Sequence, residues 1–149
     1  MKQYIGTKII EAEPALRVDG EIQDPTWPVR RDSVVDEGYR VRYQDGYESW
    51  SPKAVFEAAY RPTDGLNFGL AIEAAKHGKK IKRRGWNGKN QYVELARAIS
   101  FMAPDGAVVN AEHDAIGNQA FAFCGTSGVQ MGWLASQADM LADDWEIVE

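Results

Sequence analysis

The run Arg61-Pro62-Thr63-Asp64-Gly65 constrains this chain more than any other stretch. Proline continues neither a helix nor a strand ladder, and the Asp-Gly pair behind it is a turn signal. The break separates two modules, residues 1–61 and 66–149. A chain of 149 residues, 44% of them hydrophobic, suffices for one compact domain or two small ones.

The first module reads as a small β-hairpin followed by a helix. Residues 4–12, YIGTKIIEA, are rich in β-branched and aromatic side chains, which predicts a strand. Residues 13–38 carry three prolines and many charges without periodicity, and read as loop. Next comes alternation: Tyr39, Val41 and Tyr43 on one face, Arg40 and Arg42 on the other. Asp45-Gly46 then supplies a hairpin turn, because glycine takes positive φ at no steric cost. Ser51 is placed as an N-cap with Pro52 at the first helical position, and the helix PKAVFEAAY is expected to bury Val55, Phe56 and Ala59.

The second module opens with a helix that Asn67 caps, Leu70, Ile72, Ala74 and Ala75 face inward, and Gly78 stops. KKIKRR suits a short strand with Ile81 inward, and QYVELA a strand with Tyr92 and Val93 on opposite faces. A second hairpin is expected around Pro104-Asp105-Gly106. Two further strands, in NQAFAFCG and VQMGWLA, flank the 125–128 loop. Ser136 and Asp139 have the spacing of a capping box before a short helix, and DWEIVE closes as a strand with Trp145 and Ile147 on one face. The fold class is therefore α+β: an antiparallel sheet with a helix after the break and a short C-terminal helix. No internal repeat or low-complexity segment interrupts it.

Composition removes several classes of function. A net charge of −5 argues against a nucleic-acid polymer as partner, since such binding is driven by neutralising phosphates. No window approaches the roughly 18 apolar residues of a membrane span, and the start lacks the pattern of a secretion signal. Cys124 is the single cysteine, which excludes an internal disulfide and a multi-thiolate metal site. Glu112, His113 and Asp114 do not reach the three or four convergent ligands a metal needs, and no metal or cofactor is expected. In FCGTSG, Cys124 lies among apolar neighbours and reads as a small core residue rather than a nucleophile. GWNGKN lacks the ending of a phosphate-binding P-loop.

The densest positive charge, KKIKRRGWNGKN over residues 79–90, is more informative. Trp86 sits in a turn between Gly85 and Gly88, beside Asn87 and behind Arg83 and Arg84. A tryptophan so placed is expected to reach its own core poorly and to offer its face to a ligand or another subunit. Aromatic stacking with nearby cations suits a phosphorylated, ring-bearing small molecule.

Two anchors carry a family likeness. One is LNFGLAIEAAKHGKKIKRRGWNGKNQYVEL; the other is GWLASQADMLADDWEIVE at the end. In type, order and separation they resemble the phage Thoeris anti-defence 2 family, over about residues 66–149. The resemblance implies a binding protein, not an enzyme. Members sequester glycocyclic ADP-ribose made by bacterial TIR-domain enzymes, in the cytoplasm of the infected host, and so silence the Thoeris effector. Some also hold cyclic dinucleotides of the CBASS pathway, and the family assembles as homo-oligomers, tetramers, with pockets between subunits. Carried over by motif, Phe68 and Trp86 would stack on adenine and Arg84 would face the pyrophosphate. Asn87 and Asp139 would read ribose hydroxyls or the base edge, with Trp133 and Ser136 also lining the pocket. Two alternatives from other classes are an enzyme that degrades a cyclic nucleotide and a structural or protein-interaction module. The chain departs from the family pattern in its first sixty residues, since the Asn-Phe-Gly segment commonly lies near the chain start. The DGYESWSPKAVFEAAY unit resembles a small module of other phage proteins, which implies no activity.

Overall fold

The computed structural model of the protein describes residues 1–110 and 119–148. It divides into two compact units, Met1–Arg61 and Pro62–Glu149. The architecture is α+β, with antiparallel strands throughout and short helices.

In the first unit, β1 (Glu11–Val18), β2 (Glu21–Gln23), β3 (Val35–Arg42) and β4 (Glu48–Pro52) form one sheet in the order β2-β1-β3-β4, followed by helix α1 (Lys53–Ala59). Two expectations need correction here. The predicted strand over residues 4–12 begins only at Glu11, and Tyr4 and Ile5 are exposed. Much of the predicted loop over 13–38 is strand. The partners of these strands lie far along the chain, where no local pattern shows them. Pairing β1 with β3 sets Glu11 opposite Arg42, Glu13 opposite Arg40 and Arg17 opposite Asp36. Ion pairs form at each rung, at 3.1, 3.3 and 2.9 Å. Such pairs contribute a few tenths of a kcal/mol each, yet a register slipped by one residue would break all three. Pro14 is tolerated because β2 pairs only with Leu16–Val18, so β1 is a free edge at the proline. Asp19-Gly20, both at positive φ, makes the β1–β2 turn.

The β3–β4 hairpin forms as expected, with Gly46 at φ +84° and Val41 buried. Helix α1 starts one residue later than predicted: Ser51 remains in β4 and Pro52 is the N-cap, without a side-chain cap bond. Val55 and Ala59 are exposed. Only Phe56 and Tyr60 of this region pack inward, as a ladder in which Phe56 stacks on Tyr39 at 4.1 Å and on Tyr60 at 5.0 Å. On the opposite face the Trp50 ring lies over Gly38 and carries the Arg17 guanidinium at 4.1 Å.

The second unit holds a five-stranded sheet, order β10-β9-β6-β5-β11, from β5 (Lys80–Arg83), β6 (Tyr92–Ala96), β9 (Ala120–Gly125), β10 (Gly128–Met131) and β11 (Trp145–Val148). A separate hairpin, β7 (Ser100–Met102) with β8 (Val108–Asn110), turns at Asp105-Gly106 as expected. Helix α2 (Phe68–Lys76) is capped by the Asn67 side chain, which accepts from Leu70 N–H at 2.9 Å. It ends in a Schellman motif: Gly78 takes φ +80°, its N–H donates to Ala75 O, and Lys79 N–H donates to Ala74 O. Ala71, Ala74 and Ala75 bring this helix close to the sheet, against Ile81, Val93 and Trp145, while Leu70 and Ile72 are half-buried. Cys124 is a buried core residue, as its neighbours suggested. Helix α3 (Gln137–Met140) follows, and Leu66 bridges antiparallel to Trp145.

Gly38 tests the packing of the first unit. A Cβ there would lie 2.2 Å from Ser51 O and 2.6 Å from the Trp50 ring. Gly38→Ala is expected to destabilise the protein by about 1–3 kcal/mol, read as a lowered urea midpoint. A neutral result would show that the Trp50 ring moves aside freely.

Candidate functional site

The aromatic side chains of the second unit converge on Trp145, which is 0% exposed. Its strand pairs with β5, so its indole points to the side of the sheet that α2 covers. Three indoles meet edge to face. Trp86 lies 5.4 Å from Trp145 and 5.9 Å from Trp133, and Trp133 lies 6.2 Å from Trp145. Phe68, the first residue of α2, is tilted against Trp145 at 5.3 Å, and Phe123 meets the edge of Trp86 at 5.4 Å. Edge-to-face pairs of this spacing add about 0.5–1.5 kcal/mol each beyond burial.

The sequence placed Trp86 on an exposed bend with poor access to the core. That expectation is corrected: Trp86 is half-buried and packs on the core cluster. The turn folds back because Gly85 N–H donates to Asp144 Oδ2 at 3.3 Å and Arg84 N–H donates to Asp144 O at 3.0 Å. Trp133 is also half-buried, held by its N–H to Phe121 O at 2.9 Å. Phe68, Trp86 and Trp133 thus all pack on Trp145, and each is half-buried.

The arginines divide as strand alternation requires. Arg83 ends β5 on the aromatic face and is the half-buried partner of two carboxylates. Its Nε donates to Asp144 Oδ1 at 2.8 Å and its NH1 to Asp139 Oδ1 at 3.0 Å. Arg84 turns the other way: its guanidinium pairs with Glu146 at 3.7 Å and donates to Asp64 O, outside the ring cluster. Sequence reasoning chose Arg84 and passed over Arg83 and Asp144. The signal that would have found them is the register of two strands 60 residues apart.

Ser136 and Asp139 form the predicted capping box. Asp139 Oδ2 accepts from Ser136 N–H at 3.0 Å and Oγ–H at 2.7 Å, and Asp139 N–H donates to Ser136 Oγ at 3.1 Å. Asp139 O also accepts from the buried Trp145 indole N–H at 2.9 Å. Asp139 is therefore committed to the fold. Asn87 is exposed in the turn.

Burial alone would push the Asp139 carboxyl up. The Ser136 hydroxyl and N–H and the Arg83 guanidinium, with a smaller contribution from Trp86, outweigh it and hold the group below the usual aspartate value. Arg83 does the same to Asp144, with burial opposing and Gly85 N–H assisting. Among the described residues no group of three or more His, Cys, Asp or Glu is placed to hold a metal. Glu112, His113 and Asp114 lie outside the described residues. No described helix is long and apolar enough to cross a membrane.

A family model, the Thoeris anti-defense 2-like domain, matches residues 66–148. The chain belongs to that family. It is similar to Thoeris anti-defense 2 of Bacillus phage SP01, 37% identical over 87 residues that cover 56% of this chain and 94% of the relative. The Thoeris anti-defense 2-like match holds all seven residues that the sequence singled out, and the Met1–Arg61 unit lies outside it.

The depressed carboxylates set an acid limb. A group whose folded pKa lies below its unfolded value, about 3.9 for aspartate, binds fewer protons when folded. Its stabilisation is present above that value and is lost as pH falls through the folded pKa. Asp144→Asn is expected to cost about 1–2 kcal/mol at neutral pH. It should also flatten the fall of the urea midpoint below about pH 4. An unchanged acid limb would show that the Arg83–Asp144 bond contributes no proton linkage.

Proposed function

We propose that this anti-defence protein comes from a phage and acts by sequestration. It binds a cyclic ADP-ribose-type nucleotide, glycocyclic ADP-ribose foremost, and retains it uncleaved in the cytoplasm of the infected bacterium. The single observation that carries this is the pair of half-buried indoles, Trp86 and Trp133, set edge to face at 5.9 Å within the family-matched region. Such rings offer an adenine a stacking surface worth roughly 1–3 kcal/mol. The exposed Asn87 borders the same turn as a donor, whereas Arg84, 62% exposed, would reach a ligand there only by leaving Glu146 and Asp64 O.

The carboxylates support binding over turnover. A general acid at neutral pH needs a raised pKa, and both Asp139 and Asp144 are lowered. Their oxygens are occupied by Arg83, Ser136 and Gly85.

Affinity argues for assembly. To out-compete a sensor, a sponge needs a Kd near nanomolar, about −12 kcal/mol. One open stack and one screened ion pair fall short once immobilisation and desolvation are counted. A pocket closed by a second copy supplies the difference, and we take the active form to be a homo-oligomer, a tetramer by family likeness. The outer strand β10 exposes Val129 and Met131, and Leu134 and Leu141 are 88% and 78% exposed, the kind of apolar surface that contacts between copies cover. Cyclic dinucleotides are a second ligand class to test.

The protein mixed with glycocyclic ADP-ribose should deplete the free signal, and heat denaturation should return it intact. A hydrolysed product would instead establish an enzyme. Trp86→Ala should weaken binding by about 1–3 kcal/mol at a temperature where circular dichroism shows the variant folded. Undiminished affinity would remove Trp86 from the site.

A further inference from the structure

Arg83 occupies an unusual position among the cations of this chain. Alternation along β5 puts it on the aromatic side of the sheet, with only 21% of its side chain exposed. There it meets two carboxylates from different segments: Asp139 in α3, 14% exposed, and Asp144 just before β11, 32% exposed. The Nε–NH2 edge of the guanidinium faces Asp144 in bidentate fashion, at 2.8 and 3.5 Å, while NH1 holds Asp139 at 3.0 Å. A phosphate seeking a fork of parallel N–H groups finds one edge taken and the other half taken.

What those bonds join matters more than what they exclude. The Asp144 carboxylate that receives Arg83 also receives Gly85 N–H, and Trp86 N–H donates to Arg83 O at 3.3 Å. The Asp139 carboxylate caps α3, which starts four residues after Trp133, and the Asp139 carbonyl receives the Trp145 indole N–H. The Trp86 and Trp145 segments are each tied directly to Arg83 or to a residue it holds, and Trp133 lies just ahead of the helix that Asp139 caps.

We propose that Arg83 is the positioning residue of the aromatic site: by bridging Asp139 and Asp144 it fixes the Trp86 turn against the start of α3, and it touches no ligand itself. This rests on the reading of that site as a nucleotide site. A lysine keeps the charge, but as a single point it holds one carboxylate and lacks the planar fork that spans two.

The test is a double-mutant cycle on the full chain with Arg83→Lys, Trp86→Ala and the two combined, titrated calorimetrically with glycocyclic ADP-ribose. Near-ultraviolet circular dichroism of the unligated proteins is recorded in parallel. Arg83→Lys should weaken binding on the order of tenfold and move the tryptophan spectrum toward that of Trp86→Ala. In the Trp86→Ala background it should cost nothing further, because its effect runs through that ring. Two independent losses that multiply in the combined variant would overturn the proposal, and so would a near-ultraviolet spectrum of Arg83→Lys identical to the wild type. If Arg83→Lys fails to fold, Asp144→Asn loosens the same bridge and takes its place in the cycle. Should the wild type bind no ligand, the sequestration reading fails, and the spectra of the unligated variants still decide whether Arg83 holds the turn.

Discussion

The burial of Trp145 is the condition on which the second unit depends. It is the largest of the fully buried side chains, and its one polar atom has a partner in Asp139 O. An indole N–H enclosed without an acceptor would cost about 1–3 kcal/mol, so the position of α3 is tied to the position of the ring. The backbone of Trp145 is fixed as well, by paired bonds to Leu66 at 2.7 and 3.1 Å. Helix α2, starting two residues after Leu66, is thereby set over the sheet with its alanines inward. The half-buried Trp86 and Trp133 lean on this ring and form an outer layer of the core.

Around that ring, charge organises what hydrophobicity cannot orient. Arg83 lies at the rim, where two carboxylates and the Gly85 amide converge. Partial burial keeps these bonds from being exchanged freely for water, and each fixes a direction that packing alone leaves soft. The first unit uses charge differently. Its ion pairs are solvent-exposed rungs between β1 and β3, individually weak, and their value lies in selecting one register.

Local signals were legible in the sequence and distant ones were not. Asn67 as cap, Gly78 as stop, the Ser136–Asp139 box, the turns at Asp45-Gly46 and Asp105-Gly106, and Ile81 as an inward residue depend on neighbours a few positions away. Asp19-Gly20 carried the same turn signal, but the prolines and charges around it masked the strands. Those strands pair with segments about 20 to 30 residues on, as Glu11, Glu13 and Arg17 do with Arg42, Arg40 and Asp36, and no local window contains such partners. The same limit governed the site. Its rings, Phe68, Trp86 and Trp133, were named from motifs, whereas the choice between Arg83 and Arg84 turns on strand parity and on a carboxylate 61 positions away. Trp86 was misjudged because a turn's exposure is set by what its amides bond to, here Asp144.

The Leu66–Trp145 bridge, reinforced by Ile147 N–H to Thr63 O at 2.9 Å, has an architectural consequence. Entry to the family-matched region and its final strand run side by side, stitched before α2 has begun. Both ends of that region are therefore held at one border of the sheet. Such a clasp couples the two ends: fraying of the final strand would also release the lead-in to α2.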